Sequence, residues 1–233
     1  MLDRSFIEKI EQMAKNEIVA VNEVEYSTRD LYKVKKPMAS SLQVYTLESV
    51  VNFIKASMKL GAKITYPLFV KMNYDKVQVY SQLSENLDRD YLIEAHPLCP
   101  NIPFGRFMNV DEFIIKLQTN FEDTPNRIAL LKLVSQLMSV DTLELSDNGF
   151  SQEVVIKAGV ALDEKVEIQP IIKLKPIRTF MEVDQVESLF LFRVNNQKQV
   201  ALFEADGGKW KEDARQLIKA YFEEQILADV ILI

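Results

Sequence analysis

The chain has 233 residues, of which 48% are hydrophobic and 27% are charged, and its formal net charge is −6. This length and composition support a folded core in one large or two small domains, and they exclude a mostly disordered chain. The acidic charge disfavours strong non-specific binding to a phosphate backbone. The single cysteine, Cys99, and the single histidine, His96, exclude an intramolecular disulfide, a four-cysteine metal site and a two-histidine zinc site.

The N-terminal part of the chain is predicted to form two helices with a hairpin between them. The first helix covers about residues 3–15, and its apolar face consists of Phe6, Ile7, Ile10 and Met13. The runs 18–21 and 24–26 flank a two-residue turn and predict the hairpin. In the second helix Thr46 is the N-cap, Gly61 ends the helix, and the apolar stripe is Val50, Val51, Ile54 and Met58.

A second hairpin, a third strand and two more helices are predicted in the middle of the chain. The hairpin turns at residues 73–75, and the third strand lies within residues 89–98. Asn109 and Glu112 have the spacing of a reciprocal capping arrangement at the start of one helix. Thr124 is the predicted N-cap of the next helix, and Pro125 occupies its first position, where a missing N–H costs nothing.

Strands dominate the predicted structure from about residue 141 onward. A hairpin is predicted about residues 147–149, and further strands at 170–177, 188–194 and 200–205, the last two paired across 195–197. A helix then covers about residues 209–227, with this apolar stripe: Trp210, Ala214, Leu217, Ile218, Tyr221, Phe222 and Ile226. The apolar segment 228–233 is an edge strand or a tail that binds a partner.

These elements predict an α+β fold, with a largely antiparallel mixed sheet, helices packed on one face, and a C-terminal β-hairpin followed by a long helix. Residues 1–140 mix helices and strands, and residues 141–233 are rich in strands and end in a helix. The two parts form either two subdomains or one continuous domain. Because the N-terminus lacks an apolar signal core and no apolar run reaches membrane-spanning length, we expect a cytoplasmic protein without a membrane partner.

His96 and Cys99 lie three residues apart and are candidates for a metal-ligand or nucleophile pair. Pro97 and Pro100 would break any helix that aligned the two side chains. We therefore expect a buried thiol beside a loop histidine.

The acidic residues near the C-terminus allow a catalytic interpretation. Glu204 and Asp206 are two residues apart, so they project from one face of a strand. Together with Glu182 and Lys209 they have the residue types of a magnesium-dependent nuclease or phosphohydrolase. The lysine follows two glycines, however, which departs from the usual spacing in such nucleases.

A structural interpretation of the same residues is simpler. Asp206 caps the final helix, and Glu204 pairs with Arg178 or Arg193. The glycines at 207 and 208 make the sharp turn from strand to helix. This interpretation predicts no catalytic residue, no metal site and no cofactor.

A ligand pocket is a further possibility, because arginine suits phosphates and aromatic rings suit bases. Phe180 and Phe190 are such rings, although aromatic residues in strands usually belong to a core. The chain has no GxGxxG or P-loop motif, and Asp206 places negative charge at the start of the final helix. The candidate ligand-binding residues are Arg178, Phe180, Glu182, Arg193, Glu204, Asp206, Lys209 and Trp210.

Several motifs, in order along most of the chain, resemble the YfdQ-like family of unknown function, which bacteriophages and prophages encode. The matching segments are TLESVVNFIK, DEFIIKLQTNF, SDNGFSQEVVIKAGVAL, PIRTFMEVDQVESLFLFR and ALFEADGGKWKEDARQLIKAYF. The resemblance implies a phage or prophage origin and a bacterial cytoplasm. It supplies no reaction and no catalytic residues.

Together these observations predict a phage-encoded, non-enzymatic accessory protein that acts by binding, in host takeover or counter-defence. Its ligand would be a host protein or a nucleotide signal, and the chain is expected to form a homo-oligomer. One alternative is an accessory factor in phage DNA replication or recombination, although the acidic charge does not favour nucleic acid. The second alternative is the metal-dependent nuclease or phosphohydrolase.

Overall fold

A computed structural model describes residues 3–15, 18–21, 24–27, 40–59, 67–83, 89–138, 142–147, 152–157, 163–168, 171–226 and 230–233. Contacts along the chain divide it into two compact units, Met1–Ala39 and Ser40–Ile233. The boundary that the sequence suggests near residue 140 falls inside the second unit and stays a prediction.

Within its described residues, the first unit contains one helix and one hairpin. Helix α1 covers Arg4–Ala14, and the strands β1 (Ile18–Val21) and β2 (Val24–Ser27) pair antiparallel. Both predicted elements are confirmed. The apolar residues of the helix are all exposed: Phe6, Ile7, Ile10 and Met13.

The second unit contains four helices and eleven strands within its described residues. In chain order they are β3 (Leu42–Val44), α2 (Leu47–Lys59), β4 (Leu68–Asn73), β5 (Lys76–Tyr80), β6 (Tyr91–Ala95), α3 (Val110–Thr119), α4 (Pro125–Met138), β7 (Thr142–Asp147), β8 (Gln152–Lys157), β9 (Asp163–Ile168), β10 (Ile171–Leu174), β11 (Ser188–Val194), β12 (Val200–Glu204), α5 (Lys209–Gln225) and β13 (Val230–Leu232).

The largest sheet has five strands in the order β13-β4-β5-β6-β3. Its two edge strands pair parallel with their neighbours, and the two inner pairings are antiparallel. Helices α2 and α5 cover one face, because every second strand residue is apolar and packs with the apolar stripes of the two helices. This core includes Val50 and Ile54 of α2, Ile218 and Phe222 of α5, and Val70, Val79 and Ile93 of the sheet. The α+β class is therefore confirmed.

A second sheet has three antiparallel strands in the order β10-β11-β12. Along β11 the residues Ser188, Phe190, Phe192 and Val194 are buried and alternate with half-buried ones. Helices α3 and α4 contribute to the core on this buried face through Phe113, Leu117, Leu130 and Val134. The predicted pairing of residues 188–194 with 200–205 is confirmed.

A third sheet has the antiparallel order β7-β8-β9, with Asp147 paired to Gln152 at one end. The first two of these strands form the hairpin that the sequence predicts. The predicted turn residues Asn148 and Gly149 lie outside the described residues.

Two of the four predicted helix N-caps are confirmed. The backbone N–H of Ser49 donates to Thr46 Oγ1 at 3.2 Å, and that of Arg127 donates to Thr124 Oγ1 at 3.2 Å. Asn109 occupies the N-cap of α3, but its side chain makes no capping hydrogen bond. The reciprocal arrangement predicted with Glu112 is therefore wrong. Gly61, the predicted end of α2, lies outside the described residues.

The chain continues beyond the C-terminal helix into an edge strand. Strand β13 pairs with β4 within the five-stranded sheet, with Val230 beside Leu68 and Leu232 beside Val70. This is the edge strand expected for residues 228–233, and it follows the helix, so the hairpin and helix are not the last elements. None of the described helices is long and apolar enough to cross a membrane.

Two leucines offer a matched test of the core between the sheet β10-β11-β12 and the helices α3 and α4. Leu117 is 1% exposed and Leu98 is 74% exposed. We expect Leu117→Ala to lower the free energy of unfolding by about 2–5 kcal/mol, because it leaves a cavity, and Leu98→Ala to change it by less than about 0.5 kcal/mol. Urea unfolding followed by circular dichroism measures both values, and similar losses in the two variants would contradict this core.

Candidate functional site

The segment 175–187 connects β10 to β11 and packs against the five-stranded sheet, so we call it the bridging segment. Phe180, only 1% exposed, belongs to the core of that sheet. The buried amide of Gln185 holds the segment together: its Oε1 accepts from the N–H of Arg178 at 3.0 Å, and its Nε2 donates to the carbonyl of Phe180 at 3.2 Å. The Thr179 hydroxyl donates to the Tyr74 carbonyl at 2.6 Å, which fixes the segment to the β4–β5 turn.

Arg178 lies at the centre of the site that the sequence predicts. Its Nη1 donates to Glu204 Oε1 at 2.6 Å, and its Nη2 bonds to the hydroxyl of Ser188 and lies 4.0 Å from Asp206 Oδ2. The guanidinium carbon lies 3.7 Å from the centroid of the Trp210 ring. The predicted pairing of Glu204 is therefore with Arg178. We call Arg178, Glu204, Asp206 and Trp210 the arginine cluster.

The arginine cluster holds a buried charge. The Arg178 side chain is only 9% exposed, as is that of Asp206, whereas that of Glu204 is 40% exposed. Burial lowers the pKa of Arg178 to about 10, against the opposing effect of the Glu204 and Asp206 charges. Arg178 keeps its charge at neutral pH, because that pKa still lies well above 7.

The turn into α5 corrects the role predicted for Asp206. Gly208, with φ of 81°, occupies the N-cap of α5, and no side chain makes a capping hydrogen bond there. Asp206 Oδ1 instead accepts from the N–H of Gly208 at 3.0 Å, which stabilises the turn before the helix. Gly207 also has a positive φ, 63°, so the predicted need for two glycines is confirmed.

The other predicted residues lie outside the arginine cluster. Glu182 Oε1 accepts from the N–H groups of Leu47 at 2.6 Å and Glu48 at 3.4 Å, so it caps the start of α2. Lys209 pairs with Asp213 one turn further along α5. Arg193 alternates with the buried residues of β11 and therefore projects from the face opposite Phe190.

The cluster is organised as a structural joint between β11, β12 and α5. Each of its carboxylates already accepts a hydrogen bond or faces the arginine. Two of its N–H groups, Nε of Arg178 and Nε1 of Trp210, have no hydrogen-bond partner in the described part of the chain. Within the same ranges, no group of three or more His, Cys, Asp or Glu side chains could hold a metal ion.

The pairing of His96 with Cys99 does not form. Nε2 of His96 bonds to Glu94 Oε1 at 2.5 Å, whereas the Cys99 thiol donates to the Thr179 carbonyl at 3.4 Å. Cys99 is exposed, so the expectation of a buried thiol is wrong. Desolvation and the Asp75 charge raise the pKa of Cys99, which keeps the thiol protonated and argues against a nucleophile.

A second group of side chains, which the sequence prediction missed, lies on the face of the five-stranded sheet opposite α2 and α5. We call this the outer face. Strand pairing aligns one row of residues across four strands: Ile231, Phe69, Tyr80 and Tyr91. The Tyr80 and Tyr91 rings stack with centroids 5.2 Å apart, and the Arg89 guanidinium lies 4.5 Å from the Phe69 centroid. We call this the aromatic row.

A polar row runs beside the aromatic row on the same face of the sheet. Strand pairing aligns Lys71, Gln78, Glu94 and Gln43. Nε2 of Gln78 donates to Glu94 Oε2 at 2.5 Å and to the Tyr91 hydroxyl at 3.0 Å, so the two rows are connected. Lys71 and Arg89 are exposed, and the three rings are half-buried.

The charges of the polar row centre on Glu94. Burial alone would raise the pKa of this carboxyl, but hydrogen bonds from His96 and Gln78 and the charge of Lys76, 3.6 Å away, lower it below its usual value. The carboxylate therefore stays ionised and orients Gln78 and His96.

The alternation of apolar and polar residues in β4 and β5 could have indicated the outer face. In the segments LFVKMN and KVQVY every second residue is buried, which leaves Phe69, Lys71 and Gln78 on the other side. The alignment of Tyr80 with Tyr91 could not have been read from the sequence. It depends on an irregularity in strand pairing between Val79 and Tyr80.

Comparisons with family models, with curated proteins and with solved structures found no match.

Removal of the central arginine should destabilise the fold strongly. Arg178→Ala leaves the buried Asp206 carboxylate without its partner, and we expect a loss of about 3 kcal/mol in the free energy of unfolding. This loss lies at the lower end of the range for a broken buried ion pair, because the Glu204 side chain is 40% exposed and can be rehydrated. Urea unfolding measures the loss.

Arg215→Ala is the matched control for this variant. Arg215 also makes a short ion pair, at 2.6 Å to Glu212, but on the exposed surface of α5. Its removal should leave the free energy of unfolding nearly unchanged, because exposed pairs contribute little. Equal losses in the two variants would contradict the expectation that the buried Arg178 pair stabilises the fold more than an exposed pair does.

Glu94 should contribute to stability only above acidic pH. Its pKa in the folded chain is lower than the ordinary value of 4.5, so the unfolded chain binds more protons as the pH falls through 4.5. The stability that its ionised form contributes is complete above that value and is lost below it. We therefore expect the difference in free energy of unfolding between the native chain and Glu94→Gln to shrink below pH 4.5. A difference independent of pH would contradict this.

Proposed function

We propose that this chain is a non-enzymatic accessory protein of a bacteriophage or prophage that acts in the bacterial cytoplasm by binding a ligand on its outer face. Host takeover or counter-defence is the proposed setting. The setting rests on the resemblance of the sequence motifs to the YfdQ-like family. The binding role rests on the outer face itself, where a connected set of rings, cations and amides lies on a rigid sheet.

The hydrogen bonds and ion pairs of the acidic residues favour a binding role over a catalytic role. Glu182 caps α2, and Glu204 and Asp206 face Arg178. A divalent ion at the last two carboxylates would have to lie beside the positive charge of Arg178, which Coulomb repulsion opposes. The residues that suggested a hydrolase are better explained as parts of the fold.

The composition of the outer face supports binding directly. Tyrosine and arginine dominate the energetics of many recognition surfaces, because they combine a large apolar area with hydrogen-bonding groups. Here Tyr80, Tyr91 and Arg89 lie close together, and a hydrogen bond from Gln78 holds the Tyr91 hydroxyl. Side chains on a sheet are held in place before a ligand arrives, so binding requires little further ordering.

Self-association is part of the proposal. Strand β13 is an edge of the five-stranded sheet, and Ile231 and Ile233 are 42% and 55% exposed. An apolar edge strand can pair with a second copy, and a two-fold dimer is the commonest closed arrangement.

Native mass spectrometry of the chain purified from bacterial cells that carry the phage or prophage would test the binding role. We expect a retained ligand that is neither a metal ion nor a reaction product, and we expect Tyr80→Ala to reduce its occupancy. Tyr80 is half-buried and on the outer face, so this change removes a ring without emptying the core.

Phe107→Ala is the matched control, because Phe107 is an exposed ring, 42% accessible, that contacts Phe203 of the other sheet. The control should retain the ligand as the native chain does. Retention of a divalent ion that Asp206→Asn abolishes would instead support a hydrolase, and equal retention by the native chain and Tyr80→Ala would refute the outer face as the binding surface.

A further inference from the structure

We infer that the ligand of the outer face is a single-stranded nucleic acid, whose bases stack on the aromatic row and whose phosphates contact Lys71 and Arg89. This inference rests on the proposed function, because it names the ligand class of the same surface. A sheet with helices on one face and aromatic rings on the other is a common way to bind unpaired bases.

The rings supply the stacking surface. Tyr80 and Tyr91 lie nearly parallel, with 22° between their planes, and belong to adjacent strands. They are half-buried, so they remain partly accessible to solvent while the sheet fixes their positions. Stacking on such rings tolerates any base, because every base has a flat π surface.

Two cations beside the rings have the positions to contact phosphates. Lys71 follows Phe69 by two residues on the same face of β4, and Arg89 lies over the Phe69 ring. Neither makes an ion pair with a carboxylate of the described residues, whereas the nearby Lys76 pairs with Glu94. The charges of Lys71 and Arg89 are therefore available to a polyanion, although the chain as a whole is acidic.

The dimensions of the aromatic row favour a strand over a mononucleotide. The rings of Phe69, Tyr80 and Tyr91 come from three adjacent strands, which span about 10 Å. Tyr80 and Tyr91 stack on each other and Arg89 lies over the Phe69 ring, so each ring offers a base at most one open face, and useful affinity requires several nucleotides to bind together. Amides beside the rings, such as that of Gln78, can reach the edges of unpaired bases.

The number of phosphate contacts determines the expected salt dependence. With Lys71 and Arg89 as the only two phosphate contacts, the slope of log affinity against log salt should be about −1.4 for a single strand. A protein that binds through a broad basic patch would show a much steeper slope. The slope thus distinguishes stacking with two ionic contacts from non-specific attraction.

Fluorescence anisotropy with a labelled oligothymidine of about 16 nucleotides tests the inference on the full chain. We expect binding that a duplex or thymidine monophosphate does not compete away. Tyr80→Ala should weaken binding about tenfold or more, and Tyr80→Phe should retain it, because the ring alone stacks. Lys71→Glu should weaken binding and make the salt slope shallower by about 0.7, the share of one phosphate.

Lys55→Glu is the control for charge. Lys55 is exposed on α2, on the opposite side of the sheet, and its reversal changes the net charge by the same amount as Lys71→Glu. Binding by this variant should match the native chain. Equal weakening by both reversals would overturn the inference, because the effect would then reflect net charge alone.

The remaining outcomes separate the two proposals. No binding of the oligonucleotide by the native chain at low salt overturns the nucleic-acid inference. If the ligand retained from cells is then a protein or a mononucleotide and Tyr80→Ala still lowers its occupancy, the proposed function stands without this inference. If Tyr80→Ala has no effect on either ligand, both proposals fail.

Discussion

The second unit depends on one buried ionic contact, that of Arg178 with the two carboxylates beside it. The arginine comes from the bridging segment, Glu204 from the end of β12, and Asp206 from the turn into α5. The charge of Arg178 therefore links the sheet β10-β11-β12 to α5, one of the two helices that cover the five-stranded sheet. Because the Arg178 and Asp206 side chains are each only 9% exposed, neither can be rehydrated without moving these elements apart.

The two faces of the five-stranded sheet differ in composition. The face covered by α2 and α5 holds a core of aliphatic side chains and phenylalanines. The outer face carries tyrosines, cations and amides in two rows set by strand pairing. A rigid support of this kind positions side chains more accurately than a loop does. The arginine cluster is thus a structural set of polar residues, and the outer face is a second set, for which we propose a binding role.

Local signals in the sequence predicted helices, hairpins and two of the four N-caps, whereas most contacts between distant residues left no signal. Thr46 and Thr124 cap their helices as expected, because the cap bond joins residues three apart. Asn109 has the same spacing pattern but does not use its side chain, so spacing alone does not fix a cap. Glu182 caps α2 from 135 residues away, and the aromatic row depends on strand register, so neither leaves a signature in sequence.

The pairing of β13 with β4 can form only late in the synthesis of the chain on the ribosome. Strand β4 is synthesised early, but the strand that pairs with its free edge, Val230–Leu232, comes only after α5. Until those residues emerge, the hydrogen-bonding groups along that edge and the apolar Leu68 and Val70 lack their final neighbour. Nascent chains with open edges are prone to associate with one another, so this chain is most prone to association before residues 230–232 have left the ribosome.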